Sequence, residues 1–285
     1  MVAISKSVIA AIAVSSVQAY PQPTVTGVET PVLPTGTAAP TPDPEAQKAL
    51  FLDLFTAPTA IKRFQRLLTA KGQSLLSGDA LRSLIVFDFN GAKPAKGALG
   101  GATKAANIET FPILTGLGIS TTLGFLNACG INTPHVHPRA TEFLTVVDGE
   151  IDFGYILENG LVAAGENAEV AGTLHQFEGT VFPQGSIHYQ INNRCQPATF
   201  VAALNSEDPG TSQVAQNFFG LNADVVNATL GFPKTIDGSN IEQFRKHLPV
   251  NIAKSVDICI AKCNDEWNVP PPPAPTASGY STYRA

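Results

Sequence analysis

The chain lacks both a long apolar segment and an excess of positive charge. A membrane-spanning helix needs about 20 consecutive apolar residues. Every charge-free apolar run in this sequence is much shorter, so we expect no membrane anchor. Lys and Arg number 18 against 23 Asp and Glu, and no long basic run occurs. Nucleic acid is therefore not an expected partner either.

The first apolar run, Val8–Val14, belongs to a segment with the features of a secretory signal peptide. Residues 1–19 carry one charge, at Lys6, and end in Val17-Gln18-Ala19, which fits a signal-peptidase site. Cleavage leaves 17 basic and 23 acidic side chains, because only Lys6 is lost, on about 266 residues that begin near Tyr20. We therefore expect a secreted protein, with the cell wall as one destination.

Composition divides the rest of the chain into a central β region and flanking segments. Residues 20–44 form an extended arm rich in Pro and Thr, and residues 269–285 form a proline-rich tail for which disorder is expected. Residues 45–82 have the spacing of amphipathic helices, interrupted at Pro58. Residues 83–206 are the expected β barrel. In residues 207–268 the predicted helices are Gln213–Phe219, Ala223–Leu230, Ile241–Leu248 and Ile252–Cys263.

Short alternating or β-branched runs, separated by turn signals such as Asp148-Gly149 and Asn159-Gly160, predict many short strands. Strands of this length and spacing are typical of a sandwich or barrel, so the predicted fold class is all-β. The expected strands include Leu84–Phe89, Ile119–Phe125, Phe143–Val147, Ile151–Leu157, Gly179–Phe182 and Thr199–Leu204.

Cysteine is scarce, but the four residues Cys129, Cys195, Cys259 and Cys263 form an even set. In a secreted chain this predicts disulfides, and three pairings can be drawn. We favour Cys129 with Cys195, because each lies beside one of two histidine-bearing segments, residues 130–149 and 182–193. We favour Cys259 with Cys263, because one helical turn can bring them close.

Histidine is also scarce, yet three of the five residues fall in those two segments with a glutamate beside them. His135 and His137 are two positions apart, so a strand places both imidazoles on one face, which we expect to be the barrel interior. Glu142 follows His137 by five positions, an odd step that an unbroken strand would place on the other face. Pro138 predicts a break, and a turn or bulge through residues 138–141 would return Glu142 to the interior.

The fourth candidate ligand, His188, follows a turn at residues 183–185 and shares a strand face with Gln190 and Asn192. Three neutral imidazole nitrogens and one carboxylate oxygen leave two positions of an octahedron for water or substrate, which suits Mn(II) or Fe(II). Zinc or copper would bind such ligands more tightly in the Irving–Williams order, so the sequence leaves the metal open.

Several other groups are interpreted as surface or packing features. His175 and His247 have neighbours typical of surface or loop residues and are not expected ligands. Asn227-Ala228-Thr229 is a glycosylation sequon inside a predicted helix. The aromatic residues assigned to packing are Phe153, Tyr155, Phe177, Phe182 and Tyr189.

The two histidine-bearing segments resemble the two motifs of the cupin superfamily, and within it those of germin-like proteins, including the secreted spherulin-like members of fungi and slime moulds. The opening glycine positions of the two motifs hold Cys129 and Phe177 here, and both departures lie outside the ligand set. The residues that match are His135, His137, Glu142 and Gly149 in the first motif, and Pro183, Gly185, His188 and Asn192 in the second.

The resemblance implies a double-stranded β-helix, the cupin jelly-roll barrel, with N- and C-terminal helices. It also implies one Mn(II) ion, with Fe or Zn as alternatives, held by the four candidate ligands. Germin-type relatives are hexamers, so a homo-oligomer is expected. Two asparagines near the metal are thought to hold oxalate in the cereal oxalate oxidases. Asn132 matches one of them and Thr122 replaces the other, which ranks oxalate oxidase below the superoxide dismutase activity of many germin-like relatives.

Two main hypotheses follow. The first is an extracellular manganese enzyme of redox type that acts on a small anion or another small molecule, with Asn132 and Thr122 as candidate substrate contacts. The second is a structural protein of the cell wall or spore coat, as the spherulin comparison implies, whose metal mainly stabilises the barrel. Binding of a sugar or small acid without chemistry is a third interpretation, because one fold hosts many functions.

Overall fold

A computed structural model describes residues 43–96, 98–231, 252–254 and 259–263 of the 285-residue chain. The expected signal peptide, nearly all of the extended arm, the predicted helix Ile241–Leu248 and the proline-rich tail lie outside the described residues. No helix within the described ranges is both long enough and apolar enough to cross a membrane.

Two capped helices, α1 (Pro44–Thr56) and α2 (Ala60–Leu68), open the described chain. The side chains of Asp43 and Thr59 accept hydrogen bonds from backbone N–H groups at the starts of α1 and α2, which otherwise lack partners. Pro58 lies in the gap between the helices, so the predicted interruption is confirmed.

A third helix, α3 (Gly78–Ile85), overlaps the first expected strand. The strand predicted over Leu84–Phe89 is wrong, because its first two residues complete α3 and the rest are irregular. Phe87 packs edge-on against Phe111, with ring centroids 5.5 Å apart. The run therefore packs through its aromatic rings and not through strand pairing, in line with the dependence of β-propensity on context.

The centre of the described chain consists of antiparallel strands. Their bounds are β1 (Thr69–Ala70), β2 (Ser74–Leu75), β3 (Gly101–Ala106), β4 (Ser120–Leu126), β5 (Gly130–Val136), β6 (Glu142–Asp148), β7 (Ile151–Ile156), β8 (Val170–Leu174), β9 (Gly179–Phe182), β10 (Ile187–Ile191), β11 (Ala198–Leu204), β12 (Ser212–Gln213) and β13 (Ile252–Lys254).

Two sheets build the barrel, and the strands β1 and β2 form a separate pair. One sheet has the order β3-β4-β11-β6-β9, and the other has the order β12-β5-β10-β7-β8 with β13 also paired to β5. Neighbouring strands in both sheets are antiparallel and mostly distant in sequence. This is the arrangement of a jelly roll, so the predicted all-β fold class is confirmed.

Alternate side chains of the two sheets point inward and form the core. Strand β11 shows the pattern clearly, because every second residue from Ala198 to Leu204 is buried and the residues between are half-buried. Of the aromatic residues assigned to packing, Phe182 is in the core, and Phe153 and Tyr155 pack against it. Phe177 is wrongly assigned, because its side chain is 76% exposed.

Cys129 and Phe177, which hold the opening glycine positions of the two motifs, both adopt left-handed backbone conformations. Their φ angles are 56° and 67°. Glycine adopts such angles without strain, whereas a residue with a Cβ atom does so at a cost of roughly 1–2 kcal/mol. The barrel therefore keeps the turn geometry at both positions although the glycines are absent.

The C-terminal part returns to the barrel after two short helices. The helices α4 (Val214–Gly220) and α5 (Ala223–Thr229) confirm the predictions for these segments. The helix predicted from Ile252 is wrong over Ile252–Lys254, because these residues form β13 and pair with the outer edge of β5. An open sheet edge presents unpaired backbone groups, and β13 satisfies them. Residues 259–263 are helical, as predicted.

All four cysteines form disulfides, but both favoured pairings are wrong. The bonds join Cys129 to Cys259 and Cys195 to Cys263. Side chains one helical turn apart have Cβ atoms about 5–6 Å from each other, whereas a disulfide brings them to about 3.8 Å. Cys259 and Cys263 therefore each bond to a barrel loop, and together they fasten residues 259–263 to one end of the barrel.

Candidate metal centre

The barrel brings the four predicted ligands together, and we refer to His135, His137, Glu142 and His188 as the ligand cluster. Strand β5 carries His135 and ends one residue before His137, β6 begins at Glu142, and β10 carries His188 directly opposite His135. One donor atom of each residue lies within 4.8 Å of the other three. The His137 side chain is 11% exposed and the other three ligands are buried.

Glu142 reaches the interior by a different route from the one expected. The chain does turn at Pro138, as predicted, but it then crosses to the opposite sheet instead of resuming the same strand. Glu142 begins β6 there, paired with Leu204 of β11 and Phe182 of β9. The carboxylate therefore faces the histidines across the barrel, and the odd spacing from His137 no longer matters.

Backbone carbonyls hold all three imidazoles of the ligand cluster through their Nδ1 atoms. His135 Nδ1 lies 2.8 Å from the Thr133 oxygen and His188 Nδ1 lies 3.0 Å from the Ser186 oxygen. His137 Nδ1 lies 2.6 Å from the Gly210 oxygen. Because a carbonyl oxygen only accepts, each Nδ1 carries a proton and donates it outward. The Nε2 atoms are then the ones free to bind a metal inside the cluster.

Several nitrogen and oxygen atoms point into the ligand cluster, and few hydrogen-bond donors are available to pair with them. Oε2 of Glu142 lies 2.9 Å from Nε2 of His137 and 3.6 Å from Nε2 of His188. The buried Nε2 of His188 has no hydrogen-bond partner among the described residues. Such an unsatisfied buried group is costly unless a ligand or ion completes its bonding.

The protonation states within the ligand cluster follow from burial and from Glu142. Burial lowers the pKa of His135 to about 3, and the nearby His188 imidazole acts in the same direction. Burial also lowers the pKa of His137, but its hydrogen bond to Glu142 outweighs that effect and leaves the pKa above its usual value. Burial would raise the pKa of Glu142, but the His137 hydrogen bond and the nearby His188 lower it to about 2. The cluster thus contains an ionised carboxylate that attracts a cation.

This donor set fits a divalent transition metal. Three imidazole nitrogens and one carboxylate oxygen suit Mn(II), Fe(II) or Zn(II) by ligand type. All four side chains point to one interior volume, and the histidine rings are fixed by hydrogen bonds to the backbone, as in metal sites whose ligands are held by outer partners. The residues therefore fit a metal ion, while the donor set does not choose among these metals.

Asn132 also reaches the interior, although it lies an odd three positions before His135. The register of β5 against β10 shifts between Asn132, opposite Gln190, and His135, opposite His188. Two residues of β5 thus oppose one of β10, and one of them is Pro134, which cannot donate a ladder hydrogen bond. This bulge turns Asn132 and His135 to the same side of the sheet.

A cavity of about 130 Å³ adjoins the ligand cluster. Both candidate substrate contacts, Asn132 and Thr122, line it. Thr103 and Thr211, which no sequence motif indicated, also line the cavity. Thr103 lies in β3, whose small residues gave no strand signal. A larger depression of about 730 Å³ lies beside residues 183–186 and contains none of the ligands.

The polar residues near the cavity differ in the groups they leave unpaired. Asn132 Nδ2 donates to Gln190 Oε1 at 2.7 Å, so Asn132 Oδ1 and Gln190 Nε2 have no partner among the described residues. Asn192 instead uses its Nδ2 to tie loops together, with contacts to the Asn127 and Gln196 oxygens. Asn132 is therefore the amide placed to contact a ligand, and Asn192 is structural.

The remaining predicted groups lie away from the cavity. His175 is exposed and faces Glu150 with an Nδ1–Oε2 distance of 3.3 Å, so it is a surface group, as predicted. His247 lies outside the described residues. Asn227 lies in α5, and use of its sequon stays a prediction.

Comparisons with known proteins agree with the fold and the ligand cluster. The sequence profile of the Cupin family (Cupin_1) matches residues 89–236, which include all four ligands. Spherulin-1A of Physarum polycephalum is 39% identical over 223 residues, 78% of this chain and 82% of the spherulin. Spherulin-1B of the same organism is 38% identical over 230 residues, 80% of this chain and 84% of its own length. Germin-like protein 1-3 of Oryza sativa subsp. japonica is 37% identical over 145 residues, 51% of this chain and 62% of its own length.

Proposed function

We propose that this chain, which belongs to the cupin family, is a secreted germin-like protein that binds one Mn(II) ion in its ligand cluster and dismutes superoxide. The observation that carries the proposal is the convergence of the three imidazole Nε2 atoms and the Glu142 carboxylate inside the barrel, while every Nδ1 donates outward. The two disulfides are consistent with an oxidising compartment and so support secretion.

Manganese in this cluster would supply a centre that changes between two oxidation states. Dismutation converts two superoxide ions and two protons into one O2 and one H2O2, so it needs one-electron exchange and a proton supply. The protein's part is to hold the ligands, to admit a small anion and to exclude larger molecules. The narrow cavity beside the ligand cluster serves the last two tasks.

The size and lining of the cavity favour a very small substrate. At about 130 Å³ it has the volume of roughly four water molecules, each of which takes about 30 Å³ in the liquid. Its polar lining beyond the ligand cluster consists of Thr and Asn side chains, and no Lys or Arg lines it among the described residues. The positive charge of a bound metal ion can attract a small anion into the cavity. Within the described part of the chain, no Lys or Arg side chain is present there to hold a larger carboxylate.

The hydrogen bond of Asn132 decides which of its atoms can contact a ligand in the cavity. Because Nδ2 of Asn132 donates a hydrogen bond to Oε1 of Gln190, the amide atom left for a ligand is Oδ1, which only accepts hydrogen bonds. An acceptor suits a proton-bearing group, such as a bound water molecule or the hydrogen peroxide product, and does not favour either anionic substrate over the other. Oxalate oxidation is the lower-ranked reaction because Thr122 stands at the second asparagine position.

A structural role is the second candidate, and one observation favours it. His135 and His188 belong to one sheet of the barrel, whereas Glu142 belongs to the other. A metal bound by all three would cross-link the sheets, and binding to the native state alone raises its stability. In this alternative the protein is a cell-wall or spore-coat component, and no turnover occurs.

Self-association forms part of the proposal. Large apolar side chains of the N-terminal helices are exposed in the single chain, among them Leu52 at 64%, Phe55 at 68% and Ile61 at 62%. Exposed apolar patches are a common mark of protein interfaces. Light scattering after size-exclusion chromatography should give a multiple of the chain mass, and a monomer would refute this part.

The test of the proposed reaction uses the secreted protein loaded with Mn(II). We expect superoxide dismutation, little oxalate-dependent peroxide and loss of activity in His188→Ala. Full metal occupancy with neither activity, together with a higher melting temperature than the metal-free protein, would replace the enzyme by the structural alternative. Oxalate-dependent peroxide as the main activity would reverse the ranking of the two reactions.

A further inference from the structure

The four cysteines form a second compact group of metal-ligating atoms at the end of the barrel. Sγ of Cys129 and Sγ of Cys263, which belong to different disulfides, are 3.6 Å apart. The Sγ atoms of Cys129, Cys259 and Cys263 all lie within 4.8 Å of one another, and Cys195 is bonded to Cys263. We call these four residues the cysteine cluster.

The distance between the two disulfides, measured from Cys129 Sγ to Cys263 Sγ, is close to a sulfur–sulfur distance in a zinc tetrathiolate. A Zn–S bond is about 2.3 Å long, so the sulfur atoms at the corners of the tetrahedron are about 3.8 Å apart. The 3.6 Å contact between the two disulfides already has that length. Once the two S–S bonds are broken, small side-chain rotations would open the remaining space for one metal ion.

The surroundings of the cysteine cluster also suit a closed structural site. All four residues are between 1% and 6% exposed, and Ile260 packs against them. Cys259 and Cys263 lie four positions apart in the helical residues 259–263, so that both side chains project from one face. The other two ligands come from separate barrel loops. Four buried sulfur ligands from separate chain segments are the usual composition of a structural zinc site.

We propose that the cysteine cluster is a redox-dependent zinc site, which holds Zn(II) as a tetrathiolate when reduced and forms two disulfides when oxidised. Two dithiol molecules reduce the two disulfides, donating four electrons and four protons and becoming two disulfides themselves. Zinc then binds without electron transfer, and the four thiols release up to four protons. Two small-molecule disulfides reverse the reaction, because they accept four electrons and four protons, become dithiols, and leave the four cysteines as two disulfides that release the zinc.

The consequence concerns the C-terminal segment that closes the edge of β5. In the oxidised protein two disulfides hold residues 259–263 on the barrel, and β13 lies just before them on the strand that carries His135. Thiols stay reduced in the cytosol and are oxidised on export. Zinc would keep residues 259–263 attached in a reduced chain. Strand β5, which carries His135, would then keep β13 beside it in both redox states.

The experiment separates the cysteine cluster from the ligand cluster by using a His135→Ala, His188→Ala background, in which two of the four barrel ligands are lost. This full-length protein is reduced with a phosphine, which lacks competing thiols, and is dialysed against limiting Zn(II) or Co(II). We expect about one zinc per chain after reduction and less than about one-tenth before it. Cobalt should give the strong near-ultraviolet sulfur-to-metal bands of a tetrathiolate, and zinc should slow alkylation of all four cysteines at least about tenfold.

The matched control is the same background with Cys195→Ser and Cys263→Ser, which retains the Cys129–Cys259 disulfide but has only two sulfur ligands after reduction. It should bind no zinc in either redox state and show no thiolate bands. Should reduction unfold the chain, zinc must restore its circular dichroism spectrum. Alkylation at the same rate with and without zinc, or cobalt bound without sulfur bands, would overturn the proposal in a folded or an unfolded chain.

Discussion

Nε2 of His137 lies 2.9 Å from Oε2 of Glu142, although Nδ1 of the same ring already lies 2.6 Å from the Gly210 carbonyl oxygen. Both ring nitrogens therefore face acceptors, and the ring must carry two protons or exchange the Nε2 proton for a metal ion. The other two imidazoles donate only through Nδ1. One proton or one metal ion thus occupies the space between His137 and Glu142, and this competition makes metal binding depend on pH.

The stabilisation by Mn(II) should grow as the pH rises from about 5.5 to 8. Without metal, the raised pKa of His137 adds stability below its ordinary 6.5, and this contribution is lost as the pH rises through the folded-state pKa. The lowered pKa of Glu142 adds stability above 4.5, and this contribution is lost only as the pH falls towards about 2. His135 is neutral with and without metal over this range, so it does not contribute to the pH dependence of the stabilisation by Mn(II).

Metal must displace the His137 proton at acid pH but not at alkaline pH, so affinity should fall about tenfold per unit below the raised pKa. Melting temperatures with and without Mn(II) at several pH values provide the measurement. His175→Ala, which removes an exposed histidine outside the ligand cluster, is the matched control and should show the same dependence as the wild type. An increment that is equal at pH 5.5 and pH 8 would contradict this reading of the His137–Glu142 pair.

Removal of the Thr122 hydroxyl should lower turnover without removing the metal. Thr122→Val has nearly the same shape, and Thr122 lines the cavity without belonging to the ligand cluster. A hydrogen bond to a ligand contributes about 1 kcal/mol, so kcat/KM should fall roughly fivefold. Thr121→Val, on the neighbouring residue that does not line the cavity, is the control and should be unchanged. Equal rates for both variants would remove Thr122 from the substrate contacts.

Phe177→Gly should stabilise the protein by up to about 1 kcal/mol. The left-handed φ of Phe177 costs roughly 1–2 kcal/mol, and the extra backbone freedom of glycine in the unfolded chain takes back roughly 0.5–1 kcal/mol. Little apolar burial is lost, because the side chain is 76% exposed. Phe177→Ala retains the Cβ atom and should leave stability nearly unchanged. Urea unfolding measures both, and a clear loss of stability in Phe177→Gly would show that the ring has a contact in solution.

Trypsin should reveal the disulfide pairing directly, because Lys262 lies between the two C-terminal cysteines. Without reduction, the peptide 105–139 should be linked to 255–262, and the peptide 195–234 to 263–284. Mass spectrometry distinguishes these products from the pairings favoured by the sequence. A link between 105–139 and 195–234 would refute the connectivity of the structure.

The convergence of the four candidate ligands was predictable because the position of each depends on a local rule. The spacing of His135 and His137 reflects the two-residue period of a strand, and His188 follows a recognisable turn. The interior position of Glu142 was predicted correctly for a partly wrong reason, since the turn at Pro138 leads to the opposite sheet. A local pattern predicts that the chain turns, but it does not indicate which sheet the next strand joins.

Features that depend on distant partners were not predictable from the sequence. The disulfide partner of Cys259 lies 130 residues away, and no nearby residue indicates it. Strand β3 consists mainly of Gly and Ala and is a strand only because β4 pairs with it. Residues 252–254 have a helical pattern, but the open edge of β5 makes them a strand. In each case a contact with a residue distant in the sequence determined the structure, and the local sequence either gave no signal or favoured another structure.

Metal content of the secreted protein and two histidine variants tests the central claim most directly. After equal loading with Mn(II), elemental mass spectrometry should find about one ion per chain in the wild type and in His175→Ala, whose histidine is exposed and distant from the cavity. His188→Ala should retain less than about one-tenth of that amount, because it loses a buried ligand. Full occupancy in His188→Ala, or no bound metal in the wild type, would contradict the account.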